Sequence, residues 1–244
     1  MPRLAELLAR NLGISKTAAA RLMEGGRVTD PAGDARFDRK TVIDAGDPDA
    51  PAATVWFDGA PLPLWQTAMV LLHKPVGVVT ALRDPRHATA YDLLREAPLF
   101  PELRPVGRLD LDTSGLLLWT TDGPTIQRLT HPKRRVPRTY QAALAAPFRS
   151  PPPDLVLEDG HRPEILDLRS LGADEVHPAL LVPAGTEILA TITIVGGAYH
   201  EVRRLFAALG SHVVGLARTQ FGPYPLPIDL PAGQWRRLPE RRPG

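Results

Sequence analysis

Asp110 and Asp112 stand two residues apart in the run Gly107-Arg108-Leu109-Asp110-Leu111-Asp112-Thr113-Ser114-Gly115. Carboxylates at that spacing can bind calcium, work as an acid–base pair, or hold a turn. Asp-x-Asp-x-Ser-Gly opens like an EF-hand loop. The twelfth position counted from Asp110 is Thr121 rather than the bidentate Glu such a loop needs, and Leu111 would sit inside it. A paired-carboxylate glycosidase or metal hydrolase wants both side chains on one face, which an extended segment provides and a turn need not. The seven histidines (73, 87, 131, 161, 177, 200 and 212) form no His-x-x-x-His pair, so no His-rich metal site is expected. On the residues alone, a metal-free carboxylate pair and a plain turn capped by Thr113 and Ser114 both remain.

The elements that must position these groups fall into two parts. Leu4, Leu7, Leu8 and Leu12 follow helical spacing, and Gly13 stops the helix. Ser15 is the expected N-cap of a second helix, Lys16 to Glu24, closed by Gly25-Gly26. A short extended piece, Arg27-Val28-Thr29, follows, and later a strand, Ala53 to Phe57, leads into the turn Asp58-Gly59. Residues 1–60 are therefore expected to form a small helix-rich module, and the proline-bearing stretch 61–68 a linker. A second domain, 69–244, has strand patterns at 69–73, 116–121, 139–144 and 187–195. In the last, Ile188, Ala190, Ile192 and Ile194 make one wholly apolar face. Helices are expected at 89–96, 124–130 and 199–209. Strands in runs with few helices predict an α+β fold on a mixed, mostly antiparallel sheet with flanking helices.

Composition narrows the function classes. With 43% hydrophobic residues the chain can bury a core, and it has no cysteine for disulfides, thiolate catalysis or Cys-based metal sites. No apolar run is long enough for a membrane helix, and the start lacks the pattern of a signal peptide, so a cytoplasmic protein without a membrane partner is expected. The net charge of +2 does not by itself argue for nucleic acid. All but four of the 29 basic residues are Arg, whose planar fork suits phosphates and base edges. The abundant Ala and Pro fit a GC-rich genome, which accounts for that global excess; local clusters carry more.

Arg3-Leu4, Leu7-Leu8, Leu12-Gly13-Ile14-Ser15-Lys16, Ala20-Arg21, Gly25-Gly26-Arg27-Val28 and Asp58-Gly59 together resemble the S-four-type RNA-binding module, named for a ribosomal small-subunit protein. The resemblance implies RNA contacts from Lys16, Arg21 and Arg27.

The longer run from Gly107 through Thr113-Ser114-Gly115-Leu116-Leu117-Leu118 to Asp122-Gly123 resembles the signature of pseudouridine synthases of the ribosomal small-subunit type. Upstream, Leu72-His73-Lys74-Pro75-Val76-Gly77 resembles the family's opening strand and Lys-Pro-x-Gly turn. Downstream, Arg138-Thr139-Tyr140 falls where the family has Lys-Thr-Tyr, and Gly197-Ala198-Tyr199-His200-Glu201-Val202-Arg203-Arg204 where it has Gly-x-Tyr-His-Gln-Val-Arg-Arg. The order of these motifs spans nearly the whole chain.

That resemblance implies a cofactor-free, metal-free isomerase that turns uridine into pseudouridine in ribosomal RNA. Small-subunit 16S rRNA is the expected target, and large-subunit 23S rRNA the alternative. Asp110 would be the catalytic carboxylate with Asp112 in a structural part, Tyr140 the ring that stacks on the flipped base, and Arg203 the cation opposing Asp110. Such a cation is needed because a carboxylate shut in by RNA and apolar walls drifts towards its neutral form. Arg108 would fill the space the base leaves or contact its phosphate, and Lys133, Arg134, Arg135 and Arg138 would form a phosphate-contacting edge. Glu201 departs from the family's Gln, with Arg204 as a candidate partner, and Arg138 replaces a Lys. The partner is ribosomal RNA or an assembling subunit, and a monomer is expected. A non-catalytic assembly factor on the same scaffold is the rival; it would be expected to lose one of Asp110, Tyr140 and Arg203, all of which are present.

Overall fold

The computed structural model describes residues 2–34, 37–38, 40–43 and 50–239. Helix α1 (Leu4–Leu12) buries Leu4, Leu7 and Leu8 and ends at Gly13, whose φ of 65° breaks the helix. Helix α2 (Lys16–Glu24) starts at Ser15, whose hydroxyl accepts the Ala18 N–H at 3.1 Å. Strands β1 (Val28–Thr29), β2 (Ala53–Phe57) and β3 (Ala60–Leu64) pair antiparallel in that order. Leu4, Leu8, Met23, Val55 and Leu64 are central to a core of their own.

Residues 61–64 correct the expected linker, because they belong to β3. Pro61 and Pro63 are tolerated since β3 is an edge strand, where a missing N–H costs no ladder bond on the open side. What connects the two parts is residues 65–68, and they are held in place. Trp65 N–H donates to Asn11 Oδ1, and Asn11 Nδ2 donates to Trp65 O, both at 2.9 Å. Arg10 donates to the two carboxylate oxygens of Glu102 at 2.8 and 2.7 Å. The Arg237 guanidinium lies 3.7 Å from the Trp65 ring centroid.

The second part is built on β4 (Met69–Lys74), β5 (Arg104–Val106), β6 (Thr113–Thr120), β7 (Pro137–Leu144), β8 (Glu164–Ser170), β9 (Ile188–Val195), β10 (Val213–Phe221), β11 (Tyr224–Pro225) and β12 (Trp235–Leu238). Among the described residues they form a nine-stranded sheet with the main path β12-β4-β6-β10-β7-β9-β8; β5 adds to β6 and β11 to β10. β6 and β10 run parallel and the other pairs antiparallel, so the fold is the expected α+β on a mixed sheet. Both faces of its centre are covered. Val70, Leu72, Leu117 and Trp119 enter one core while Met69, Leu71, Leu116 and Leu118 enter the other. This two-sided burial is why β4 and β6 read as continuous apolar runs rather than alternating ones.

Helix α3 (Gly123–Thr130) begins at Asp122, whose carboxylate accepts the Thr125 N–H at 2.8 Å. Helix α4 (Glu201–Ala208) packs Val202, Leu205 and Phe206 on the first core. It starts two residues later than its sequence pattern suggests, because His200 takes the left-handed conformation (φ 50°, ψ 31°). The helix expected over 89–96 is only a short 3-10 turn, Asp92–Leu94. Thr89 bridges to Val79 in extended form, and its hydroxyl binds the Asp92 carboxylate at 2.7 Å, which satisfies these groups outside a helix. Among the described residues no helix is long and apolar enough to cross a membrane.

Candidate active site

Asp110 sits in the loop that joins β5 to β6, and the segment after β4 holds that loop. Thr80 Oγ1 donates to Leu109 O at 2.9 Å and accepts the Leu109 N–H at 3.1 Å. Gly77 N–H donates to Leu111 O at 2.8 Å, and Thr113 N–H to Asp110 O at 3.2 Å. The Lys-Pro-x-Gly turn is thus the brace for the aspartate loop, which explains why the two sequence stretches occur together.

This loop forms one wall of a cleft of about 250 Å³. Tyr140 from β7, Arg203 from α4, and Arg108 and Arg138 line the same cleft. Leu109, Ile194, Val202 and Leu216 supply apolar wall, and Tyr140 is buried among the core residues behind it. Arg108 is exposed at the rim. Asp110, Tyr140 and Arg203, remote in sequence, therefore meet in one concavity.

The charges within it differ from expectation in one respect. Arg203 does not pair with Asp110; its Nη2 lies 2.9 Å from Asp112 Oδ1, and its Nη1 donates to Val213 O at 3.3 Å. The group beside Asp110 is His200, with Nε2 3.5 Å from Asp110 Oδ1. The left-handed turn at His200 points its imidazole inward, and the exposed Tyr199 ring stacks on it at 3.8 Å. Asp112, through Arg203, ties the aspartate loop to the first turn of α4.

A second cation was not singled out in the sequence. Lys74 is wholly buried at the end of β4, with Nζ donating to Pro75 O at 2.8 Å. Burial pushes its ammonium down to about 8, while the charges of Asp110 and Asp112 oppose that shift. Its signal in the sequence is a lone charge closing a strand that opens with four apolar residues, Met69 to Leu72. Because the unfolded chain holds this proton more tightly than the folded one, stability should rise between pH 8 and 10.5. Unfolding in urea is expected to show a gain of up to roughly 3 kcal/mol across that window, absent in Lys74→Met. Parallel stability curves for parent and variant would show that Lys74 keeps its proton on folding.

Glu201 is buried and pairs with neither Arg203 nor Arg204. Its carboxylate accepts from Ala198 N–H at 2.8 Å and lies 2.7 Å from His161 Nε2. Arg204 instead meets Asp159 at 2.5 Å. Both contacts fasten the segment ahead of β8 to α4.

The expected basic edge divides. Lys133 and Arg134 are exposed, Arg135 pairs with Glu164, and Arg138 turns inward to the cleft floor, where burial lowers its affinity for a proton. A neighbouring groove of about 450 Å³, lined in part by His131, Arg135 and Arg138, continues from the cleft. In the N-terminal module Arg21 is exposed on α2, Lys16 pairs with Glu6 at 2.6 Å, and Arg27 pairs with Asp58. The structure does not bring these three to the cleft.

Comparison with known proteins agrees with this architecture. Residues 68–208 match the family described as RNA pseudouridylate synthase. The chain is 35% identical over 239 residues to ribosomal small subunit pseudouridine synthase A of Escherichia coli (strain K12), covering 98% of this chain and 96% of that protein. The corresponding Yersinia pestis protein is 33% identical over 241 residues, with 97% and 94% covered. A crystal structure of a pseudouridylate synthase superimposes with a TM-score of 0.58 at 28% identity, covering 98% of this chain and 96% of that one. With its motifs gathered around one cleft and this match along almost its whole length, the chain belongs to the RNA pseudouridylate synthase family.

Proposed function

We propose that this chain converts a specific uridine of small-subunit ribosomal RNA to pseudouridine, with Asp110 as the catalytic carboxylate. The observation that carries this reading is the placement of the Asp110 carboxylate in the same cleft as the Tyr140 ring, with Leu109, Ile194, Val202 and Leu216 in its wall. The relatives named for small-subunit rRNA over nearly their whole length favour that substrate over large-subunit rRNA and over a non-catalytic factor.

The reaction cuts the bond between N1 and the ribose, turns the base, and rejoins it through C5. A base inside a duplex is out of reach, so the target nucleotide leaves its stack and enters the cleft. Tyr140 and the apolar walls hold the ring, and Arg108 at the rim meets the flanking phosphate or fills the vacated space. Asp110 works in its ionised form, whether towards the ribose or towards the base. Arg203 is a positioning residue here, since it acts on the aspartate loop through Asp112. Lys133 and Arg134, exposed in the chain between Pro132 and Arg135 of the adjoining groove, extend the contact along the RNA backbone.

The test is to map pseudouridine in both ribosomal RNAs from cells lacking the protein. One modification missing from the small-subunit RNA, restored by the parent gene, is the expected result. Unchanged maps in both RNAs would sink the proposal.

The N-terminal module is proposed to add RNA affinity through Arg21 and its neighbours. Because β3 belongs to that module, the informative truncation removes residues 1–64 rather than 1–60. We expect it to weaken rRNA binding at least tenfold at low salt and to flatten the salt dependence. Equal affinity and equal salt slope with and without the module would remove its role.

A further inference from the structure

A buried positive charge, with no counter-charge among the described residues, lies on the floor of the cleft. Arg218, on β10, stands opposite Tyr140 of β7 and Gly115 of β6. It is 1% exposed, yet it lines the cavity that holds Asp110. Its Nε donates to Leu116 O at 2.9 Å, while its Nη2 is buried with no acceptor. Among the described residues no carboxylate pairs with it. Arg138 stands nearby, and both guanidinium carbons lie within 5 Å of the Phe221 ring centroid, at 4.8 and 4.9 Å.

A desolvated cation with an unused donor is costly unless something completes it. The proposed reaction supplies that complement. When N1 parts from the ribose carbon, the bonding pair leaves with the ring and spreads onto its carbonyl oxygens O2 and O4. Attack at ring carbon C6 would likewise place charge on O4. When C5 then bonds to the ribose carbon, the C5 hydrogen leaves as a proton to a base, N1 gains a proton, and the ring charge disappears. Composition is unchanged and no oxidant or reductant is involved. Donors fixed in advance where such charge develops, in a site shielded from water, are among the strongest aids to catalysis.

We infer that Arg218 is a further catalytic residue of this cleft, donating a hydrogen bond to a carbonyl oxygen of the displaced uracil and stabilising the negative charge of the ring. This rests on the pseudouridine synthase reading above. Its depth beside Tyr140 favours the base over the RNA backbone, whose phosphates stay nearer the rim where Arg108 waits.

The test uses the full chain, an rRNA fragment carrying the target uridine, and single-turnover kinetics. Arg218→Gln is expected to bind the fragment within about threefold of the parent while its rate falls about 10²-fold to 10³-fold. Arg218→Lys, which keeps a charge but loses the fork, should recover part of that rate. In a second arm the target uridine carries sulfur, a weaker acceptor, at position 2 or 4. The parent should be slowed by one of these substrates, and Arg218→Gln should be slowed by neither. If Arg218→Gln does not fold, as judged by thermal unfolding, Arg218→Lys carries the same sulfur comparison. A parental rate in the folded variant, a loss of affinity equal to the loss of rate, or an equal sulfur penalty in parent and variant would each overturn the inference. A parent that fails to modify unsubstituted RNA would instead remove the function proposed above.

Discussion

Asp110→Asn should abolish pseudouridine formation, with a fall in single-turnover rate on the order of 10⁴-fold or more, while rRNA affinity stays within a few-fold. The substitution keeps the size of the side chain and removes only its charge and basicity. The loop is held by backbone groups, by Thr80 and by the Asp112–Arg203 pair, none of which involves the Asp110 carboxylate. Among the described residues its one side-chain neighbour within ion-pair range is His200, at 3.5 Å, so no close ion pair is lost. On the proposed reading, binding draws on phosphate contacts from the rim and the module, which the substitution leaves untouched. The comparison is made by single-turnover kinetics and filter binding on one rRNA fragment. A variant that modifies RNA at the parental rate would show that another group does the chemistry. A variant that loses affinity as steeply as rate would show that the carboxylate serves mainly in binding or folding.

Gly115→Ala is expected to be strongly destabilising. Gly115 has a φ of 104°, which side-chain-bearing residues rarely adopt, and it lies in register with Arg218 across the parallel β6–β10 pair. A Cβ built there would overlap the Arg218 carbonyl oxygen and come 2.7 Å from its amide nitrogen. Backbone cannot swing aside as a side-chain tip can, so β6 would have to part from β10. We expect a loss of about 3–5 kcal/mol in urea unfolding, from strain and overpacking together. Gly123→Ala, at the start of α3 with nothing within 4 Å of its added methyl, is the control and should change stability by less than about 1 kcal/mol. Similar midpoints for the two variants would mean that the β6–β10 approach is softer than its geometry implies.

Features with a local cause were legible in the sequence. The second helix could be bounded because Ser15 and Gly25-Gly26 act within a few residues of it. The apolar face of β9 followed from alternation alone, and Ala190, Ile192 and Ile194 do enter one core. The edge strand at 60–64 was not legible, because prolines oppose a strand unless its open side is known, and that depends on its partner. The helix expected over 89–96 failed for a similar reason. Its apolar spacing is helical, but Thr89 finds Asp92 and Val79 instead.

The site divides in the same way. Motifs pointed to Asp110, Tyr140 and Arg203, and the fold places all three in one cleft. Which carboxylate Arg203 meets was beyond reach, since it turns on the left-handed residue just ahead of α4. Lys74 and Arg218 lie within stretches that match the family, but neither had a role of its own legible from the sequence. Only burial shows that a charge there needs a purpose.

The short connection between the two parts has a consequence of its own. Asn11 clamps the Trp65 backbone from both sides, and Arg10 grips Glu102, so the N-terminal module is fastened to the second part at two points rather than joined by a bare tether. If that module holds one stretch of RNA as proposed, the cleft is presented at a single offset from it, like the second jaw of a caliper. A floppy leash would sweep many uridines past Asp110; a fixed gap admits only those that the folded RNA sets at the matching separation. Choice of target would then lie less in reading bases than in measuring distance.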